Sequence, residues 1–314
     1  MSDRALCVLS HLPAAILAPL TEQFSSVRLR VVPEQGELPD DAEGEVLLTQ
    51  AWGSENLPEV LKRGVRWVHA YGTGVNAFPF AALEGRPLTC SRGASAIPIS
   101  EWVLAVVLAA EKRLPEAWVH EPPERWSVGL PLGGLHGRTL GLLGLGGIAL
   151  AVAERALAFG MRVVAHRRSG RPSPLPGVQI APDLDALLAC ADHLVVAAPA
   201  TPETCALLGA DAFAKVKRGV HLVNVARGEL VDQQALRAAL DDGRVGLASL
   251  DVTVPEPLPA GHWLYTHPRV RLSAHTSWSS PKAFDWLLEP FLENLRRYLD
   301  GGPLIHLVDA ELGY

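Results

Sequence analysis

Hydrophobic and polar positions follow two patterns along this chain: short apolar runs and helical spacing. Short apolar runs bounded by polar residues or glycine predict buried strands, and near the start of the chain they occupy residues 5–9, 27–32, 45–49 and 66–70. Between these runs, residues 13–24 and 57–63 space their apolar side chains as a helix does. Strands that alternate with helices predict a parallel sheet covered on both faces.

The same alternation continues beyond the middle of the chain. Residues 140–143 predict a strand, Ile148, Val152 and Ala156 recur at helical spacing, and residues 161–165 predict the next strand. A strand, a helix and a second strand in this order form a complete βαβ unit, the building block of a parallel sheet.

A glycine turn joins the first strand of this unit to its helix. Gly144, Gly146 and Ala149 match the G-x-G-x-x-G/A spacing of a dinucleotide site. The first glycine permits a tight turn, the second lets the backbone approach a pyrophosphate, and the small third residue lets helix and strand pack closely. The alternative is a purely structural glycine turn, but the surrounding βαβ pattern favours cofactor binding.

Polar residues follow several of the predicted strands. Arg227, Asp251 and His275 come at or just after the ends of apolar runs, which lie at residues 220–225, 247–251 and 270–273. In a doubly wound sheet, ligands bind at the carboxyl ends of the strands, so catalytic groups belong there. After residues 66–70, the backbone N–H groups of Thr73 and Gly74 could hold an anion, or could belong to an ordinary turn.

The residues after the second strand of the βαβ unit indicate which nicotinamide cofactor binds. An acidic residue there would bind the ribose hydroxyls of NAD, but this chain has Arg167, Arg168 and Ser169. These side chains suit a 2′-phosphate, so the sequence favours NADP(H) and leaves NAD(H) possible. The alternative is that the arginines belong to a solvated turn.

Three further segments complete the pattern. Residues 102–110 are apolar on every side, which predicts a helix buried all round, and the proline-rich residues 114–134 predict an irregular arm. Residues 281–299 predict a last helix. Its apolar face comprises Phe284, Leu287, Leu288 and Phe291.

Composition excludes several classes of function. The 314 residues can form two domains, and the net charge of −6 argues against general nucleic-acid binding. The four cysteines are widely spaced, which favours reduced thiols in the cytoplasm over a disulfide scaffold or a metal site. No apolar run is long enough to predict a membrane span.

Four blocks of sequence resemble the D-isomer-specific 2-hydroxyacid dehydrogenase family: residues 144–148, 222–232, 250–259 and 270–275. With weaker matches at residues 72–76 and 100–102, the resemblance extends over nearly the whole chain. It implies a doubly wound, Rossmann-type α/β cofactor domain at residues 98–280. It also implies a discontinuous, flavodoxin-like substrate domain formed by residues 1–97 and 281–314. A homodimer through residues 102–110 and the arm is implied as well.

The resemblance also assigns roles to residues. Arg227 would bind the substrate carboxylate, His275 would be the general acid, and Glu256 would hold the imidazole from its other nitrogen. The implied cofactor contacts are Gly144, Gly146, Gly147, Ile148, Arg167, Arg168, Ser169, Pro199, Ala226 and Asp251, with Asp251 near the nicotinamide amide. The implied substrate contacts are Thr73, Gly74, Arg227 and Trp278, although Trp278 could equally be a core residue.

The resemblance implies reduction of a small 2-oxo acid, such as glyoxylate or hydroxypyruvate, to the (R)-2-hydroxy acid. The chain departs from the family pattern at Ala274, where proline is frequent, and at Asn76 and Thr253. These departures predict a changed substrate range rather than lost activity. Two alternatives stay open on the same scaffold: a phosphite-type dehydrogenase, and a binding protein that senses NAD(P)H.

Overall fold

A computed structural model describes residues 5–123, 125–126 and 131–314. The chain divides into two compact units: unit 1 runs to Ser95 and resumes at Ser280, and unit 2 is Ala96–Ser279. The boundaries expected from the sequence were 97/98 and 280/281. Among the described residues, no helix combines the length and apolarity that crossing a bilayer requires.

The described elements alternate between strands and helices. The strands are β1 (Cys7–Ser10), β2 (Arg28–Val31), β3 (Val46–Gln50), β4 (Trp67–Tyr71), β5 (Leu88–Cys90), β6 (Thr139–Leu143), β7 (Arg162–His166), β8 (Val178–Ile180), β9 (His193–Val196), β10 (Val220–Asn224), β11 (Val245–Leu250) and β12 (Val270–Leu272). The helices are α1 (Ala18–Gln23), α2 (Leu57–Leu61), α3 (Ala96–Lys112), α4 (Gly147–Ala158), α5 (Leu184–Cys190), α6 (Ala210–Lys215), α7 (Gln233–Asp241) and α8 (Ala283–Leu299).

Unit 1 contains a parallel sheet in the order β2-β1-β3-β4-β5. This is the flavodoxin-like strand order. Strand β4 is buried along its whole length, and its Trp67 stacks on Phe291 of α8 with 5.5 Å between ring centroids. The last helix therefore belongs to the core of the unit that the first strands form.

Unit 2 contains a second parallel sheet in the order β12-β11-β10-β9-β6-β7-β8. Strand order reverses at β6, which pairs with β7 on one side and β9 on the other. This is the Rossmann arrangement, whose ligand site lies beyond the carboxyl ends of the strands at the reversal. The doubly wound α/β fold predicted for both sheets is confirmed.

One burial prediction was wrong, and a second stays a prediction. Helix α3 buries Val103 and Val107 but leaves Ala105 exposed in the single chain, so its burial on every side, which a dimer interface would complete, stays a prediction. In α8, Phe284 is 55% exposed, and the buried face continues through Leu292 and Leu295 instead. Apolar spacing identifies a helix, but it does not show which apolar positions the rest of the chain covers. In the arm, residues 124 and 127–130 lie outside the described residues.

Buried histidines support both sheets. His69 of β4 bonds Thr89 Oγ1 through Nδ1 at 2.8 Å, and burial lowers its pKa to about 3, with His306 adding to the shift. His221 of β10 bonds Ser249 Oγ through Nε2 at 2.9 Å, and burial likewise lowers its pKa to about 3. Burial disfavours the charged form of each imidazole, so both side chains are neutral parts of the core.

These two histidines make the free energy of unfolding fall as the pH is lowered. Above pH 6.5 both imidazoles are neutral in the folded and the unfolded chain, so they do not make the free energy of unfolding depend on pH. Between pH 6.5 and about 3, the unfolded chain takes up a proton on each imidazole and the folded chain does not. Each should therefore remove about 1.4 kcal/mol of unfolding free energy per pH unit across that window. Urea unfolding at several pH values checks this. His69→Gln should flatten the slope, whereas the exposed control His120→Gln should not. An unchanged slope in His69→Gln would contradict the assignment.

Candidate active site

The glycine turn between β6 and α4 needs glycine at its first position. Gly144 has φ of +96°, and a Cβ there would lie 2.8 Å from the Ala197 carbonyl oxygen. An added Cβ at Gly146 meets no atom of the described residues within 4 Å, and Gly146, as the residue before α4, has no side chain to cap the helix. The turn thus leaves an open approach to the first N–H groups of α4, beside Ile148. Such a helix end binds the pyrophosphate of a dinucleotide.

The arginines predicted to select the cofactor lie beside this turn. Gly144 N donates to the His166 carbonyl oxygen, at the end of β7, over 2.9 Å. Arg167 follows directly and is half-buried, and Arg168 and Ser169 are exposed. The carboxylate of Glu203, on the loop after β9, is close enough for Arg168 to contribute to its lowered pKa, after the larger effect of the Thr201 hydrogen bond.

The other predicted cofactor residues follow the two neighbouring strands. Pro199 is exposed on the loop after β9, and Ala226 is buried just after β10. Because β6, β9 and β10 are adjacent and parallel, their carboxyl ends share one edge of the sheet. The glycine turn, the loops after β9 and β10, and the two arginines after β7 therefore fit a nicotinamide dinucleotide.

Arg227 lies at the same edge, in a turn held by a buried asparagine. Asn224 Nδ2 donates to the Arg227 carbonyl oxygen at 2.9 Å, and Asn224 Oδ1 accepts from Ala226 N at 3.1 Å. Burial lowers the pKa of the Arg227 guanidinium from its ordinary value, while the carboxylates of Glu229 and Glu256 oppose that shift. A partly desolvated guanidinium attracts an incoming carboxylate more strongly than one in water.

Glu256 and His275 form a hydrogen-bonded pair. His275 Nδ1 and Glu256 Oε2 are 2.8 Å apart, and the other carboxylate oxygen accepts from Thr253 N at 2.8 Å. The two side chains are 42% and 38% exposed, so the imidazole is accessible to a ligand. Since Nδ1 is occupied, Nε2 is the ring nitrogen available for proton transfer. Glu256 is also near enough to Arg227 to affect its pKa, so the three predicted catalytic residues are brought together.

Asp251 is buried and anchors the backbone around His275. Its carboxylate accepts from Ser273 Oγ at 2.5 Å, from Thr276 N at 2.8 Å and from Ser277 N at 3.1 Å. These bonds give Asp251 a structural task that the sequence did not indicate. Its contact with the nicotinamide amide stays a prediction.

The remaining predicted substrate residues lie in different places. Trp278 is half-buried against the core of unit 2, and its Nε1 donates to the His275 carbonyl oxygen at 2.9 Å. Thr73 and Gly74 lie in unit 1, just after β4, where Thr73 Oγ1 donates to the Ser91 carbonyl oxygen at 3.3 Å. Whether these three residues contact substrate stays a prediction.

A family model for the NAD-binding domain of D-isomer specific 2-hydroxyacid dehydrogenases matches residues 104–277. The chain belongs to the D-isomer specific 2-hydroxyacid dehydrogenase family. It is therefore an oxidoreductase with a nicotinamide-binding domain, and the resemblance expected from the sequence is confirmed.

Three similar proteins match most of the length of this chain. A glyoxylate reductase of Korarchaeum cryptofilum is 34% identical, over 74% of this chain and 72% of that protein. A glyoxylate/hydroxypyruvate reductase B of Citrobacter koseri is 32% identical, over 84% and 85%. A D-isomer specific 2-hydroxyacid dehydrogenase of Xanthobacter autotrophicus Py2, solved with NADPH and MES, superposes with a TM-score of 0.85 at 27% identity, covering 99% of this chain and 100% of that one.

Sequence reasoning missed two contacts that join the loops of this dehydrogenase. A Cβ at Gly228 would lie 2.1 Å from the Thr253 carbonyl carbon, so only glycine lets the Arg227 turn pack on this backbone. Gln233 Nε2 donates to the Val254 carbonyl oxygen. Gly228 stands inside the Arg-Gly-x-x-Val-Asp block, which was the available signal; nothing in the sequence marks Gln233.

Proposed function

We propose that this D-2-hydroxyacid dehydrogenase uses NADPH to reduce a small 2-oxo acid, such as glyoxylate or hydroxypyruvate, to the 2-hydroxy acid, with the (R) configuration where C2 is chiral. The observation that carries the proposal is the 2.8 Å pair of His275 and Glu256 beside the half-buried Arg227. An anion-binding guanidinium next to a braced proton donor suits a carboxylate with an adjacent ketone.

Each side chain has a distinct task in this reaction. The Arg227 guanidinium binds the substrate carboxylate through two N–H groups and polarises the neighbouring ketone. His275 Nε2 donates a proton to the carbonyl oxygen as negative charge develops there. Glu256 accepts from Nδ1, so it orients the ring and leaves Nε2 for the substrate. The bound nicotinamide supplies the hydride.

Turnover assays test the proposal. We expect loss of the reduced-nicotinamide absorbance when the protein is mixed with NADPH and either glyoxylate or hydroxypyruvate. A panel of other 2-oxo acids and phosphite, the latter assayed with oxidised cofactor, separates this activity from a phosphite-type dehydrogenase. Tight NADPH binding without turnover of any member of the panel would favour the NAD(P)H-sensing alternative.

The cofactor preference rests on Arg167, Arg168 and Ser169. Arg168→Ala should weaken NADPH binding about 10- to 100-fold, because a charge-assisted bond to the 2′-phosphate is lost. NADH binding should change little. Titration of cofactor fluorescence measures both, with Arg171→Ala, an exposed arginine on the same loop, as the matched control. Equal losses for the two cofactors would refute the preference for NADP(H).

A homodimer and a cytoplasmic location are part of the proposal. The dimer is supported by Ala105 on the uncovered face of α3 and by exposed apolar side chains on the arm, including Trp118 and Trp126. Ala105→Glu should convert the dimer to monomers, because it places a charge in the proposed interface. Sedimentation velocity checks this, and a wild-type monomer at assay concentrations would contradict it.

A further inference from the structure

His275 has a backbone conformation that it cannot hold by itself. Its φ is +54°, in the left-handed region that residues with a Cβ seldom occupy. Ala274 precedes it and has no ring to restrict the chain there. Without restraint, the backbone would return to the extended or right-handed region, and the imidazole would leave Glu256.

Contacts with Asp251 supply part of the restraint. His275 N donates to the Asp251 carbonyl oxygen at 2.9 Å. The Asp251 carboxylate then holds the next two residues through Thr276 N and Ser277 N. The Thr276 N–H lies in the same peptide plane as the His275 carbonyl group, so Asp251 holds one edge of that plane.

The carbonyl group is held by Trp278. The indole Nε1 donates to the His275 carbonyl oxygen at 2.9 Å. The ring is itself packed against the core of unit 2, so the donor comes from a fixed support rather than from a mobile side chain. This bond holds the opposite edge of the peptide plane that Asp251 holds through Thr276 N, so the two contacts together fix ψ of His275.

We propose that Trp278 is a positioning residue, whose indole N–H completes the Asp251 restraint that keeps His275 left-handed and thereby keeps Nδ1 on Glu256. The inference rests on the proposed function for its kinetic consequence. Trp278 acts through His275, so it should affect proton transfer to every substrate alike. A residue that only lined the substrate pocket would instead discriminate between substrates by size.

Trp278→Phe tests this, because it keeps a ring and removes the N–H donor. We expect kcat to fall about 5- to 30-fold, which corresponds to releasing a left-handed residue. The fall should be equal for glyoxylate, pyruvate and 4-methyl-2-oxopentanoate, with KM for each nearly unchanged because Arg227 still binds the carboxylate. Unchanged NADPH affinity shows that the variant is folded.

Trp263→Phe is the matched control. Trp263 is half-buried in the same unit, and among the described residues its Nε1 has no hydrogen-bond partner. Its replacement removes an indole without removing such a bond, so kcat should stay near that of the wild type. Should Trp278→Phe fold poorly, site-specific benzothienylalanine at 278 replaces only the N–H by sulfur and should lower kcat in the same way.

A crystal structure of Trp278→Phe separates this inference from the proposed function. It should show His275 outside the left-handed region and its Nδ1 beyond hydrogen-bond distance of Glu256. Unchanged His275 geometry, an unchanged kcat, a loss confined to one substrate size, or an equal loss in Trp263→Phe would overturn the inference. Failure of the wild type on every 2-oxo acid would overturn the proposed function but leave the structural test standing.

Discussion

Replacing Arg227 with alanine is expected to lower kcat/KM for 2-oxo acid reduction by about a thousandfold. In the proposed reaction the guanidinium holds the substrate carboxylate and polarises the ketone, so binding and transition-state stabilisation should be lost together. Burial makes the loss large, because the charge acts in a medium that screens it weakly. Steady-state kinetics over a wide range of substrate concentration measures the effect.

NADPH affinity is the internal control for this variant. Arg227 is assigned to the substrate, so fluorescence titration with NADPH should give nearly the wild-type affinity. Arg227→Lys keeps the charge but loses the planar pair of donors, and it should recover only a small part of the activity. Normal turnover in Arg227→Ala would show that the mechanism is wrong.

Replacing His275 with glutamine is expected to lower kcat by about 10² to 10⁴, the usual contribution of a general acid. Glutamine can still donate a hydrogen bond, but it cannot release a proton to the alkoxide that forms. Because Arg227 and the cofactor site are untouched, KM should change much less than kcat. Rapid-mixing measurements of a single turnover isolate this step.

Glu256 offers a matched test of the same pair. Glu256→Gln keeps an acceptor for Nδ1 and removes the charge, so its effect should be smaller, about 10- to 100-fold. If Glu256 acts only through His275, the double variant should be no slower than His275→Gln alone. Additive losses would show that Glu256 has a separate role.

The fold could be predicted from the sequence because its signals are local. Alternating apolar runs and helices imply parallel sheets, and the spacing of Gly144, Gly146 and Ala149 marks one turn between a strand and a helix. Strands β5 and β8 were missed, since three residues show little periodicity, whereas the equally short β12 was found through its apolar run. The exposure of Phe284 in α8 was missed because an apolar residue does not show what covers it.

The candidate site could be predicted only as residues at strand ends. Parallel strands bring their carboxyl ends to one edge, which is why Arg227 and His275 could be placed together. The bonds that orient them depend on loop conformation: Thr253 N on Glu256, the Asp251 carboxylate under residues 276 and 277, and the Trp278 indole on His275. No spacing rule predicts such contacts, since each requires a backbone path that folding creates.

We propose hydride transfer to a 2-oxo acid at the site of Arg227, Glu256 and His275. The most direct measurement uses NADPH deuterated at the transferred position, with hydroxypyruvate as substrate and the product examined by NMR and by chiral chromatography. We expect (R)-glycerate with deuterium at C2, formed by the wild type and nearly absent with Arg227→Ala. Unlabelled glycerate, the (S) isomer, or no product from a protein that binds NADPH would contradict it.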